Sequence, residues 1–100
     1  MSESFYLLLG AVLFAVGFGI LITKKNLIMM LMGAELIFNA ANLNLIVFAR
    51  KSAESSEAYL FTLFIMIVAA AEVSLALAII LKIKEKYGTL DPDQIDQLKN

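Results

Sequence analysis

Glu35 and Glu72 each interrupt an otherwise apolar stretch long enough to cross a bilayer, at 27–48 and 59–81. A charged side chain at the centre of such a span costs roughly 2.5–3.5 kcal/mol on insertion scales, whereas a Leu returns only about 0.3–0.6. Ionisable residues at this depth mark ion pathways and proton relays. A carboxyl held away from water resists ionisation unless a cation or hydrogen-bond donors compensate. Such tuning brings proton uptake and release into the working pH range. No Lys, Arg or His lies at this depth in the chain. A compensating cation must come from another subunit, or water reaches the acid, or the acid stays protonated. Alternating protonation of the two glutamates would carry a proton from one helix to the other, directly or through a bridging water.

Spacing places both acids at one depth. Glu35 is nine residues from Asn26, and Glu72 is nine from Leu81. At ~1.5 Å per residue that is about 13–14 Å, near half of a ~30 Å hydrocarbon core. Asn39 and Asn42 follow Glu35 at i+4 and i+7, which makes one polar stripe on the second helix. Asn44 falls nearly opposite and needs a different partner. The asparagines read as interhelical hydrogen-bonding residues, and a span this polar should be enclosed by protein. Around Glu72 the same face carries Ile65, Ala69, Ala76 and Ile79, and many neighbours are Ala or Ser. Small residues let helices approach closely in lipid, so Glu72 should press against another helix. Ala11, Ala15 and Gly19 form a similar row on the first helix. The competing role for each Glu is a protonated or hydrogen-bonded packing residue with no role in transport. Two acids at matched depth argue against it.

The elements that hold these residues follow from hydropathy. Of the 100 residues, 61% are hydrophobic, against ~45–50% in an average soluble domain. The excess lies in three stretches, 5–23, 27–48 and 59–81, each about 28–35 Å long as a helix. The fold class is therefore all-α, an integral membrane protein with three transmembrane helices in a single domain over 1–100. The break at Thr23-Lys24-Lys25-Asn26 is short, so the first two helices must be antiparallel neighbours. Residues 49–58 read as a polar loop, and 82–100 as a charged tail. Within the tail, Asp91-Pro92 is an N-cap followed by proline at the first helical position, which predicts a short helix over 92–99.

The N-terminal MSESFYLLLG lacks a basic leader segment and a small-residue cleavage site, so the first helix is expected to be retained. Lys24, Lys25, Lys82, Lys84 and Lys86 gather at one membrane face; Arg50 and Lys51, offset by Glu54 and Glu57, lie at the other. The positive-inside rule then puts the N-terminus outside and the tail in the cytoplasm. Phe5, Tyr6 and Tyr59 read as interfacial aromatics, and the methionines at 29, 30, 32 and 66 as packing or lipid-facing residues. With no cysteine and no histidine, the chain offers no thiolate or imidazole ligand for Fe–S, haem or zinc. No redox, cofactor-binding or metal-ligating residue is expected in it.

The segment LMGAELIFNAANLNLIVF at 31–48, AAAEVSLALAII at 69–80 and the basic-basic-Asn turn at 24–26 resemble the K subunit of the proton-pumping NADH:quinone oxidoreductase, respiratory complex I. The resemblance covers nearly the whole chain, and the family's two membrane glutamates fall at Glu35 and Glu72. The turn carries Lys24 and Lys25 where the family often has arginine, which keeps the charge but not the forked geometry. The resemblance implies a membrane-arm subunit beside the J- and N-type subunits of a large hetero-oligomer in the bacterial inner membrane. It implies that NADH, FMN, Fe–S clusters and quinone are held by other subunits, and that the glutamates help link quinone reduction to proton translocation. Other classes fit less well. The C subunit of multisubunit Na+/H+ antiporters resembles the same fold but generally lacks the glutamate pair. Small multidrug transporters have four spans, and rotor-ring subunits have two. An accessory subunit without a proton role would use the same helices for assembly alone.

Overall fold

Each apolar stretch forms a helix in the computed structural model, which describes residues 2–51 and 55–99. Helix α1 spans Glu3–Thr23, α2 Leu27–Lys51, α3 Ser55–Tyr87 and α4 Pro92–Lys99. The first three are long and apolar enough to cross a membrane, and no strand occurs among the described residues. The architecture is thus the all-α, three-span one that hydropathy requires.

Local chemistry sets the ends. The Ser2 hydroxyl accepts from the Phe5 N–H at 3.3 Å, and Glu3 places a negative charge in the first turn of α1. The Asn26 side chain accepts from the Ile28 and Met29 N–H groups at 2.9 and 3.3 Å, which starts α2 after a three-residue break. Helix α3 stops at Gly88, whose φ of +74° is the left-handed conformation of a helix C-terminal cap. The Gly88 N–H closes that turn on the Lys84 carbonyl at 2.7 Å. Asp91 caps α4 by accepting from the Asp93 N–H at 2.9 Å, as the Asp-Pro pair predicts.

Two boundaries differ from the sequence expectation. Helix α2 runs to Lys51 and α3 begins at Ser55, so the loop expected at 49–58 is helical on both flanks. Residues 52–54, including Glu54, lie outside the described residues. The tail expected from 82 onward continues α3 as far as Tyr87. A membrane boundary is not a helix boundary: Lys, Ile and Glu in this stretch are tolerated or favoured in helices, and no Gly or Pro intervenes before Gly88.

Helix α2 is the centre of the bundle. The packed pairs are α1–α2 and α2–α3, and the core comprises Ala40, Val47 and Ala49 of α2 with Ile80 of α3. Most large apolar side chains of α1 and α3 face outward, where lipid or a partner helix is their solvent. Helices α1 and α2 approach tightly at Gly17 and Gly33. A Cβ on Gly33 would sit 2.8 Å from the Gly17 carbonyl oxygen and 3.0 Å from the Ile20 side chain. The Ala11–Ala15–Gly19 row lies away from this contact: Ala11 and Ala15 are exposed, and Gly19 has open space around it. Helix α1 is apolar on every side, so its sequence offers several small-residue rows. The one used is the one that meets a glycine on α2.

At the opposite end of this pair, Lys51 bonds the Glu3 carboxylate at 2.9 Å, and the Arg50 guanidinium lies 5.8 Å from the Tyr6 ring centre. Both cations at the end of α2 are therefore engaged by α1.

Gly33→Val should overpack the α1–α2 seam and cost about 1–3 kcal/mol. Gly19→Ala should be neutral or stabilise by up to about 1 kcal/mol, because it removes a helix-interior glycine at an open position. SDS-induced unfolding in mixed micelles measures both, and equal losses would place the helix contact elsewhere.

Candidate functional site

Glu35 is half-buried and opens into a groove of ≈ 400 Å³ formed where all three spanning helices meet. Ile20 comes from α1, Met32 and Asn39 from α2, and Val73 and Leu77 from α3. Glu72 is exposed in the single chain and lines a different groove, with Phe38 of α2 and Phe61, Phe64, Ile65 and Val68 of α3. The two acids thus face two separate openings along one α2–α3 seam. Val73 adjoins the Glu35 groove, and Phe38, three residues beyond Glu35, adjoins Glu72. The two acids thus lie on facing stretches of the antiparallel α2 and α3. Neither has a hydrogen-bond or ion-pair partner among the described residues. Like charges held close together in an apolar medium repel strongly.

The expected pressing of Glu72 against a neighbouring helix is only partly met within the chain. Phe38 closes one side of its groove, and the rest is open. Sequence reading missed the aromatic lining, although the signal is there. Phe61, Phe64 and Val68 precede Glu72 by eleven, eight and four residues, the spacing of one helix face.

The polar stripe of α2 is continuous. Asn39 lines both the Glu35 groove and a smaller one of ≈ 240 Å³ that contains the buried Asn42, with Leu13 and Met66. The asparagines do not make the interhelical hydrogen bonds expected of them: none has a side-chain partner among the described residues. Asn44 points to α1, where its buried Oδ1 lies 3.0 Å from the position a Gly10 Cβ would occupy and has no donor.

The Lys24-Lys25-Asn26 turn is bound to the tail. Lys25 pairs with Asp93 at 3.1 Å, and the Leu27 N–H donates to the Leu90 carbonyl at 3.0 Å. Asn26 caps α2, and Lys24 stays exposed. No group of three His, Cys, Asp or Glu among the described residues could hold a metal ion.

Three membrane-length helices with an acid pair on their central seam define a class of small, three-span membrane proteins. Comparison makes the class specific. Residues 5–100 match the family model for NADH-ubiquinone/plastoquinone oxidoreductase chain 4L, and the chain belongs to that family. Among its relatives is NADH-quinone oxidoreductase subunit K of Bordetella petrii, 41% identical over 100 residues, covering 99% of this chain and 97% of the relative. The proteins of the same name from Chlorobaculum tepidum and Acidobacterium capsulatum are each 39% identical, over 94 and 99 residues. Those alignments cover 94% and 96% of this chain, and 87% and 95% of the relatives.

At the turn, the hydrogen bond to Asp93, reinforced by the charges of Asp93 and Asp91, holds the Lys25 ammonium above its usual range. A base whose folded value is raised contributes fully below its unfolded value and loses the contribution as pH rises through the folded one. A spin label at Leu98 should therefore keep its restraint from neutral pH up to the ordinary lysine value of ~10.4 and gain mobility only above it. Mobility already gained between pH ~8 and that value would show that the ion pair does not hold the tail.

Proposed function

We propose that this chain is a membrane-arm subunit of a proton-translocating NADH:quinone oxidoreductase, in which Glu35 and Glu72 pass a proton between two neighbouring subunits. One observation carries the reading. The two acids share the α2–α3 seam yet open into different grooves. A partner seated on each groove would meet one acid, and the α2–α3 seam would lie between the two partners. By family resemblance, the J- and N-type subunits are the neighbours. A single shared charge can then move as the complex turns over: one acid takes up a proton while the other releases its own. Asn39 and Asn42 give water or a hydrogen-bonded path a polar wall along α2. That makes Glu35 the more demanding position and Glu72 its exchange partner.

The reading places no redox chemistry in this chain. NADH, FMN, Fe–S clusters and quinone belong to other subunits, and the chain's share in the translocase is to couple quinone reduction to charge movement. Orientation follows the lysines. Lys24, Lys25, Lys82, Lys84 and Lys86 mark the cytoplasmic face of a bacterial inner membrane, with the N-terminus outside. Engagement of Arg50 and Lys51 by Tyr6 and Glu3 leaves the outer face with little unpaired positive charge.

The experiment is replacement of each acid by its amide in the assembled complex, reconstituted into vesicles. Removing a group that transfers protons costs on the order of 10²–10⁴ in the step it serves. Glu35→Gln should abolish most proton uptake coupled to NADH oxidation, and Glu72→Gln should lower it less, both with normal assembly. Loss of assembly with unaltered coupling in whatever complex forms would assign both acids to packing.

A further inference from the structure

Helix α3 is held sideways by little. Only Thr62 and Ile80 of its described side chains are buried, whereas α2 buries residues along most of its length. Thr62 spends its hydroxyl on the Ala58 carbonyl of its own helix. Lateral packing this thin leaves the sliding register of α3 against α2 to the ends of the helices.

The cytoplasmic end carries a built connection. Gly88 turns the chain at φ +74°, and nothing lies near the site of its absent Cβ. The Thr89 hydroxyl accepts from the Asp91 N–H at 3.1 Å and donates to Gln94 Oε1 at 2.7 Å, which fixes the returning segment to α4. The Leu90 carbonyl then accepts from the Leu27 N–H. That donor is one of the unsatisfied groups at the start of α2, and Asn26 serves Ile28 and Met29 instead. Lys25 and Asp93 close the far side at 3.1 Å. An exposed ion pair alone adds little. Here it aligns a backbone hydrogen bond that completes the cap of α2 with a residue from beyond α3.

We propose that residues 88–93 are a strap that sets the register of α3 against α2, and that Lys25 and Asp93 are positioning residues for the Glu35–Glu72 pair. The proposal rests on the proton-exchange reading above. Both acids sit on uninterrupted helices that lead to the strap, so a slip of one turn there would move Glu72 by ~5.4 Å relative to Glu35. A slip of that size would change the spacing of two acids that share one seam.

The chain has no native cysteine, so Leu36→Cys with Val73→Cys, a pair of positions lining the Glu35 groove, reports register through a short bifunctional thiol reagent. Gly88→Val disfavours the turn while sparing every polar contact of the strap. Asp93→Lys sets like charges face to face, and the exchange Lys25→Asp with Asp93→Lys restores the pair. Each single variant should lower the cross-linking yield about two- to fivefold, the scale of an exposed ion pair. Each should also lower the protons taken up per NADH oxidised in complexes without the introduced cysteines, and the exchanged pair should recover both. If a variant complex does not assemble, the yield in membranes containing the inserted chain is read by the same criterion. Unchanged yield and proton ratio in both single variants, or no recovery in the exchange, would overturn the strap. Glu72→Gln is run alongside. Normal pumping in that variant overturns the exchange reading, and with it the functional role of the strap, whatever the cross-linking shows. A pumping defect in Glu72→Gln with wild-type behaviour in the strap variants overturns the strap alone.

Discussion

The cost of holding a carboxyl in hydrocarbon constrains everything else in this bundle. Two acids near the middle of a ~30 Å core are tolerated only if protein, water or each other's protonation state offsets their desolvation. The chain meets this by placing both on the α2–α3 seam and by making α2 the central helix. One face of α2 is spent on close backbone contact with α1 at Gly17 and Gly33. That leaves the opposite side for Glu35 and Asn39 to face open grooves.

The two ends of the bundle serve the same purpose by different means. Glu3 and Tyr6 of α1 engage Lys51 and Arg50 of α2 at one end. At the other, a segment from beyond α3 returns to the start of α2 through Leu90 and Asp93. Helix α2 is thus tied to α1 at one face of the membrane and to the α3 tail at the other. Outward-facing side chains such as Leu8, Ile22, Phe64 and Leu75 remain for lipid or neighbouring subunits. In the single chain both acid-lined grooves stay open on one side.

Much of this was legible in the sequence, for physical reasons. Three apolar runs of membrane length leave the chain little alternative to three helices, and Asp91-Pro92 announces α4 to the residue. That Glu35 and Glu72 share the α2–α3 seam, each opening into a groove, was not legible from spacing alone. What was not legible concerns choice among equals. Helix α1 is apolar all round, so nothing in it distinguishes the Ala11–Ala15–Gly19 row from the Gly10 and Gly17 positions that α2 selects. The flanks of the 49–58 segment are helical because polar residues continue a helix as readily as they end a membrane span. The asparagines read as bonded pairs, yet Asn44 keeps an orphan Oδ1. The Lys25–Asp93 contact joins residues far apart in sequence across a turn no local rule specifies. The aromatic wall beside Glu72 was readable at helical spacing, but hydrophobic residues on a membrane helix carry no distinguishing signal until an acid among them gives the face a meaning.

The most direct measurement is infrared difference spectroscopy of the carboxylic C=O stretch in the reconstituted complex during NADH oxidation, with Glu35→Gln and Glu72→Gln assigning the bands. If one charge passes between the two acids, a protonated-acid band lost in one variant and a band lost in the other should change with opposite sign in the wild type. Bands from both side chains that stay constant through turnover would contradict a shared, moving charge.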